Sequence, residues 1–570
     1  MSISPASRKP DNLPHRPSLA DVREMVVADE GLSLRRRQDV SSALRTLAKA
    51  LGHRLDELPA HPGYLRERLE RFTPAMAGLS ARRWHNALSL TRFALKHAKL
   101  AQVPGRYEEP LTPAWADLFR YLNDARMRVG LSRLARWCGA RGLGPDRVND
   151  EVLGVFLAEL CNAGIVKRPL TIHRTACILW NKAATQISSW PKQSVTVPQY
   201  RRDYVKPWST FPPSLKADAD AYLDRLAGKD IFAELDFRPL KPGSVQTRAR
   251  QLHQFLSALV LRGRDPQTLC SLRDVVAVPM VMDGLRFYVD RPKAKAMKHA
   301  QDLAYVLLAV ARHWVKVDPE HLAALKKICR RLDHGRGQMT ETNRAKLRQF
   351  DDPANVRALV TLPERLLAKS RAAAPSRTQA LKVQTALATE LLLMVPIRLG
   401  NLARLDMDRH LIRSVGGGAV HLAIPGSEVK NGVNINAVLP GTTVRLIDLY
   451  IERYRPVLAN EPSRWLFPGE SSGPKSRHGL GRQISSCIKR ECGLNVHPHL
   501  FRHIAAKLYL DAHPGAYGVV RLVHGHKSVD TTTRYYCGME TQSAMRHFDE
   551  HILKLRAQSS AASIDGATKG

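Results

Sequence analysis

A mainly α-helical, multidomain fold with one small antiparallel sheet is predicted for this chain, on three observations. Its 570 residues exceed what one hydrophobic core organises, so two to four domains are expected. Apolar residues recur at helical spacing through most of its length. One stretch, around residues 419–439, alternates instead at strand spacing on either side of an Asn-Gly pair.

Residues 1–30 are polar and proline-rich and read as a mobile lead-in. Val40, Leu44, Leu47 and Leu51 mark an amphipathic helix stopped by Gly52. The stretch 131–137 repeats the pattern ahead of Gly139 and Gly142, and Leu252, Phe255, Leu256, Leu259 and Val260 repeat it ahead of Gly263. These are either related helical modules or ordinary helices with ordinary glycine stops. Residues 190–214 hold Pro191, Pro198, Pro207, Pro212 and Pro213 with Arg201, Arg202 and Lys206, which predicts an extended basic connector. A second polar stretch, 333–344, contains Gly335 and Gly337. Between the two lies a helical region whose run Arg291, Lys293, Lys295 and Lys298 reads as phosphate contact rather than a solvated face. From about Asp352 the order is helices, a hairpin (419–424 and 433–439 around Asn431-Gly432), then helices again, with 444–454 stopped by Pro456. Residues 544–555 predict a short helix with Met545, Phe548, Ile552 and Leu555 on one face, packed on its own domain or on a neighbour. Residues 556–570 are small and polar and read as disordered.

Charge narrows the partner. Lys and Arg number 88 against 52 Asp and Glu, a net of +36, and such self-repulsion is relieved by a polyanion, for which nucleic acid is the usual candidate. The eight cysteines form no CxxC pair, which points to reduced thiols rather than disulfides or zinc. No apolar run is long enough to span a bilayer; the nearest, 387–397, carries Glu390 and Pro396. With no signal-peptide pattern, an intracellular, cytoplasmic protein without membrane contact is expected, nucleoid-associated in a bacterium.

Chemistry concentrates near the C-terminus. Leu387, Leu391 and Val395 share a helix face, Pro396 ends that helix, and Arg398 follows, half-buried and in need of an anion or a structural carboxylate. His499 and Arg502 lie three apart after Pro498, a spacing that puts both on one helix face. The same pattern recurs at His410 and Arg413 without the downstream partners, and no role falls to that pair. His526 follows Arg502 by 24 residues, and Tyr535 follows His526 by nine. Lys430 adjoins the Asn-Gly turn.

This set, with 465–468 (Trp-Leu-Phe-Pro), Gly525-His526-Lys527-Ser528 and the threonines before Tyr535, resembles the tyrosine recombinase (phage integrase) family over roughly residues 350–545. The resemblance implies a helical core-binding domain at 201–345 and a mixed α/β catalytic domain at 346–555, together a clamp on DNA. It leaves 1–200 as a helical extension of extra DNA-binding or assembly modules and 556–570 as a tail. It implies that Arg398 and Arg502 hold the scissile phosphate, where planar guanidinium forks suit paired oxygens. Tyr535 would be the nucleophile, Lys430 would protonate the leaving 5′-oxygen, His499 would assist proton transfer, and His526 would donate to the phosphate. No metal or other cofactor is implied. The implied partners are double-stranded DNA with inverted-repeat core sites, a homo-tetramer or an assembly with related recombinases, and an accessory directionality factor. The activity would be site-specific recombination for integration, excision or transposition of a mobile element; a type IB topoisomerase-like enzyme and a non-catalytic DNA-binding protein are the alternatives. Three positions depart from the family pattern: Asn401 replaces an acidic residue, His524 replaces an apolar one and rivals His526, and Tyr536 rivals Tyr535.

Overall fold

The computed structural model describes residues 17–69, 72–100, 109–162, 165, 166, 168–198, 204–230, 232, 234–291, 294–333, 339–370, 375–414, 419–459, 461–470, 472–525, 528–536, 545 and 548–556, without the side chains of 294–296, 531, 534 and 535. The mainly helical class with one small antiparallel sheet is what it contains. The chain divides into two compact units, residues 1–197 with 337–570, and residues 198–336. Among the described residues there are four separate hydrophobic cores.

The first core packs α1 (Leu19–Ala28), α2 (Leu34–Leu51), α3 (Pro62–Leu69) and α4 (Ala81–His97) around Leu44, Leu47 and Trp84. Residues 17–28 therefore depart from the mobile lead-in that composition suggests: Ser18 and Asp21 form a capping box that starts α1, and its Val22 and Val26 are buried. Residues 1–16 lie outside the described set. The second core packs α5 (Pro113–Arg120), α6 (Ala125–Gly139), α7 (Asp150–Asn162) and α8 (Pro169–Gln186) around Trp115, Trp137 and Trp180. Trp190 and Val195 belong to it, and the Asn181 amide brackets the Val195 backbone, so the connector begins as packed chain rather than free linker. Arg201 and Arg202 lie outside the described residues.

The unit 198–336 contains α9 (Pro213–Ala227), α10 (Pro242–Leu261), α11 (Leu272–Val275), α12 (Val278–Val289), α13 (Ala294–Val310) and α14 (Pro319–Arg331) around Phe255, Leu256 and Leu307. Of its basic run, Arg291 lies 3.8 Å over the Phe287 ring; Lys293, the Lys295 side chain, and Gly335 and Gly337 beyond it fall outside the described residues. One local design recurs in the first three cores. The second helix is followed within three residues by a left-handed glycine (Gly52, Gly142, Gly263), an aspartate-bearing turn comes next, and a fully buried Leu58, Val148 or Leu269 anchors that turn.

The fourth core is built from α15 (Glu341–Leu347), α16 (Pro353–Val360), α17 (Leu362–Ala368), α18 (Arg377–Met394), α19 (Leu399–Ala403), α20 (Met407–His410), α21 (Gly441–Leu449), α22 (Arg477–Cys492), α23 (Leu500–Ala512), α24 (Tyr517–His524) and α25 (Val529–Tyr536). Its sheet has the order β1 (Leu411–Arg413), β2 (Val420–Ile424), β3 (Ile435–Leu439), all antiparallel, with Val420 opposite Leu439 and Ile424 opposite Ile435. The central helix α18 is buried on nearly all sides, as its apolar end requires. Residues 548–556 are helical, and Met545, Phe548 and Leu555 of the predicted apolar face are exposed. No helix among the described residues is long and apolar enough to cross a membrane.

Candidate active site

The end of α18 sets Arg398. Val395 leaves the helix in extended conformation, Pro396 cannot continue it, and Arg398 becomes the extended N-cap of α19. The guanidinium is half-buried, which lowers its pKa, and Nη1 donates to Asn431 Oδ1 at 3.1 Å. Among the described residues no carboxylate pairs with it. Asn401 donates from Nδ2 to the Glu428 carbonyl at 3.1 Å, so the Arg398 segment is tied at two points to the loop that carries Lys430.

That loop is longer than the Asn-Gly signal suggests. β2 ends at Ile424 and β3 starts at Ile435, so residues 425–434 form a ten-residue connection that opens with a 3-10 turn at Gly426–Glu428, rather than a two-residue turn. The reason is internal bonding. Asn434 Oδ1 accepts from the Gly426 amide at 2.6 Å, which folds the loop on itself, and Glu428 accepts from Arg409 of α20 at 2.7 Å, which ties it down. A Cβ on Gly426 would sit 2.5 Å from the Gly432 carbonyl oxygen, so the closure depends on glycine there. Lys430 is exposed on this loop.

Helix α23 supplies the next pair. His499 is its N-cap, so Pro498 lies just ahead of the helix rather than in its first turn, and Arg502 lies in that turn, 5% exposed. Arg502 donates from Nη1 to the Pro396 carbonyl at 2.8 Å and from Nη2 to the His524 carbonyl at 2.6 Å. Burial, and then the charge of Arg398, push its pKa down to about 10, so it remains a cation at neutral pH. His499 keeps an open edge to solvent. Its pKa is held below the ordinary histidine value first by desolvation of its covered side, then by the charges of Arg502, Arg398 and Lys430. Arg398, Lys430, His499 and Arg502, spread over more than a hundred residues of sequence, thus face one another electrostatically.

His524 is not a free rival for a phosphate contact. It is 3% exposed, with Nδ1 2.9 Å from the Val520 carbonyl and Nε2 2.5 Å from the Arg502 carbonyl. Gly525 follows at φ +60° and turns the chain out of α24; its carbonyl accepts from Asn431 Nδ2. His526 itself lies outside the described residues. Tyr535 is on α25, and its side chain lies outside the described set as well. Tyr536 is 2% exposed, and its phenol lies 3.0 Å from Nδ1 of His503, a histidine whose burial pushes its pKa down to about 3 and keeps it neutral. The second His-x-x-Arg pair behaves differently: His410 is buried against the Asp406 amide, and Arg413 closes an ion pair with Asp448.

Two contributors escape the sequence reading. Asn431, whose side chain joins Arg398 to Gly525, was legible only as half of a turn signal. His503, which fastens α25 to α23, lies beside Arg502 but has no spacing pattern of its own. Seven described cysteines are free thiols, Cys537 lies outside the described residues, and no group of three or more His, Cys, Asp or Glu there could hold a metal.

These residues sit in a segment that matches the phage integrase family over residues 364–541. Over those residues the chain carries a domain of the tyrosine recombinase type, the domain of site-specific enzymes that break and rejoin DNA strands. Comparison with curated proteins gives no match. Among solved structures, the chain is similar to the XerH site-specific recombinase bound to difH substrate in a pre-cleavage complex, with 14% identity, 53% of this chain and 79% of that chain covered, and a TM-score of 0.33. It is also similar to a lambda integrase (75–356) dimer bound to a COC' core site, with 16% identity, 56% and 94% coverage, and a TM-score of 0.34.

The shift at His499 has a testable sign. Its lowered pKa keeps the ring neutral at neutral pH, able to take a proton. Single-turnover cleavage should hold down to below the ordinary histidine pKa and fall only under it. His499→Asn should remove that acid limb from the pH–rate profile.

Proposed function

We propose that the chain cleaves and rejoins duplex DNA at defined sites through a 3′-phosphotyrosyl intermediate on Tyr535. The observation that carries this reading is the convergence of Arg398 and Arg502 on one electrostatic neighbourhood, with His499 and Lys430 beside them. Two guanidinium groups held against neutral oxygens keep their charge for an incoming phosphate, and preorganised cations of this kind stabilise the charge that grows at phosphorus. The Tyr535 phenol oxygen forms the new bond to phosphorus as the bond to the 5′-oxygen breaks. Lys430 gives a proton to that oxygen, and His499 takes the phenol proton or orients the phosphate. His526 donates to a phosphate oxygen. Religation reverses the step, so the phosphodiester energy is conserved and no nucleotide is consumed.

In this reading residues 201–345 bind the core site, residues 346–555 carry the chemistry, and the helices of 1–200 add contacts to DNA or to other subunits. The substrate is an inverted repeat, four subunits synapse two sites, and the event is integration, excision or transposition of a mobile element, steered by an accessory factor. The exposed Met545, Phe548 and Leu555 supply an apolar face for a neighbouring subunit. Binding is salt-sensitive: with 6–10 phosphate contacts, affinity falls about 10³–10⁵-fold between about 50 and 200 mM salt.

The test uses supercoiled plasmids carrying two copies of an inverted repeat selected for binding. Recombinant circles should form from the two-site plasmid, while a repeat-free plasmid stays supercoiled. Relaxation of the repeat-free plasmid, with no recombinants from the other, would identify a topoisomerase instead.

A further inference from the structure

A cleft of about 450 Å³ lies between α1 and α2 of the first helical core, distant in sequence from Arg398, Arg502 and Tyr535. Arg23, Arg37, Arg45 and Lys49 line it, and among the described residues no carboxylate pairs with any of the four. Two of them converge on a single hydroxyl: Arg23 Nε donates to Ser41 Oγ at 2.7 Å and Arg45 Nη2 donates to the same oxygen at 3.1 Å. Arg37 spends Nη1 on the Val27 carbonyl at 3.1 Å, while its Nε is buried with no hydrogen-bond partner. Like charges gathered on one neutral oxygen repel one another, and a buried donor left unmade is costly; both are relieved by an anion. The hydroxyls of Ser42 and Thr46 and the amide of Gln38 complete the wall. Arginine, lysine, hydroxyl and amide groups together are the set that contacts nucleic-acid backbones.

We propose that this cleft is a second DNA site, in which the phosphate backbone of a duplex lies across α1 and α2. The choice of a duplex over another anion rests on the reading of the chain as a DNA strand-exchange enzyme and on its net charge of +36. The cleft between the corresponding helices of another core gives a contrast. In residues 198–336 the first two long helices, α9 and α10, also border a cleft with basic groups, Lys216 and Arg250, but there Lys216 is paired with Asp220. The α1–α2 cleft has no such carboxylate, so it has more positive charge to offer. A protein bound there sits on DNA through contacts that the chemistry does not need, which would let the first core hold flanking duplex while the catalytic domain works at the core site.

The experiment compares full-length wild type with the Arg45→Ala, Lys49→Ala double variant. Both side chains are exposed, so the fold should survive, and the melting curve checks it. Affinity for a duplex that includes flanking sequence is measured from about 50 to 200 mM salt. The slope of log affinity against log salt should become shallower by about 2, roughly one for each phosphate no longer neutralised. The charge-keeping Arg45→Lys, Lys49→Arg variant should restore it. In the wild type, bound duplex should also protect Lys49 from acetylation, a readout that needs no variant. An unchanged slope with an unprotected Lys49 overturns the proposal, including the case in which the cleft serves an acidic protein. Cleavage of a nicked core-site duplex is measured alongside: a wild type that forms no covalent adduct breaks the recombinase reading, whereas a normal adduct with an unchanged slope breaks only this one.

Discussion

Tyr535→Phe should leave no covalent protein–DNA adduct and no recombinant product, while Tyr536→Phe should keep the chemistry and lose stability. The phenol oxygen of Tyr535 is the atom that bonds to phosphorus in this account, and phenylalanine has none to offer. Its neighbour cannot substitute. Successive residues on a helix point roughly 100° apart, and Tyr536 is 2% exposed, in the same core as Phe501 and Ile504. Its hydroxyl is engaged 3.0 Å from His503 Nδ1. Removing that hydroxyl should cost about 1 kcal/mol, read as a lower denaturation midpoint at unchanged slope. Because this contact fastens α25 to α23, the Tyr536→Phe enzyme should also cleave more slowly. A Tyr536→Phe protein that forms no adduct beside a Tyr535→Phe protein that does would reverse the assignment.

Arg502→Lys should lower single-turnover cleavage by roughly 10²–10³-fold, the usual loss when one preorganised charge-stabilising donor is removed. Lysine keeps the charge but not the fork. Arg502 spends one arm on the Pro396 carbonyl and another on the His524 carbonyl, which fixes the plane of the guanidinium relative to α18 and α24. An ammonium cannot reach both carbonyls and a phosphate with that geometry. Arg502→Ala should add a stability loss of about 1–3 kcal/mol for each buried carbonyl left unmet, so unfolding has to be measured beside cleavage. Arg398→Ala separates the two effects. Arg398 is only half-buried and donates to one side chain, Asn431, so its loss should cut cleavage strongly and stability little. Cleavage within tenfold of wild type in Arg502→Lys would mean that the phosphate is held elsewhere.

The sequence made the helical class and the sheet legible for physical reasons. Period-3.6 apolar patterns report burial, and α2, α6 and α10 appear where Leu44, Leu131 and Phe255 require them. Arg398 was legible because Pro396 must end a helix that is apolar to its last turn. Less local features were not. The hairpin loop 425–434 exceeds its Asn-Gly core because Asn434 bonds across it to Gly426 and Glu428 ties it to Arg409 of α20, and such bonding leaves no periodic trace. The start of α1 was hidden by the polar residues around it, although Ser18 and Asp21 spell a cap. The parts played by Asn431 and His503 come from tertiary neighbours 33 residues away, Arg398 and Tyr536 respectively.

The most direct measurement is to trap the protein on a duplex of its selected site, nicked beside the cleavage point so that the freed strand diffuses away, and to map the DNA-linked peptide. This account predicts one adduct, a DNA 3′-phosphate esterified to Tyr535, absent from Tyr535→Phe. An adduct on Tyr536 or on any other residue, or strand breakage that leaves no covalent link, would contradict it.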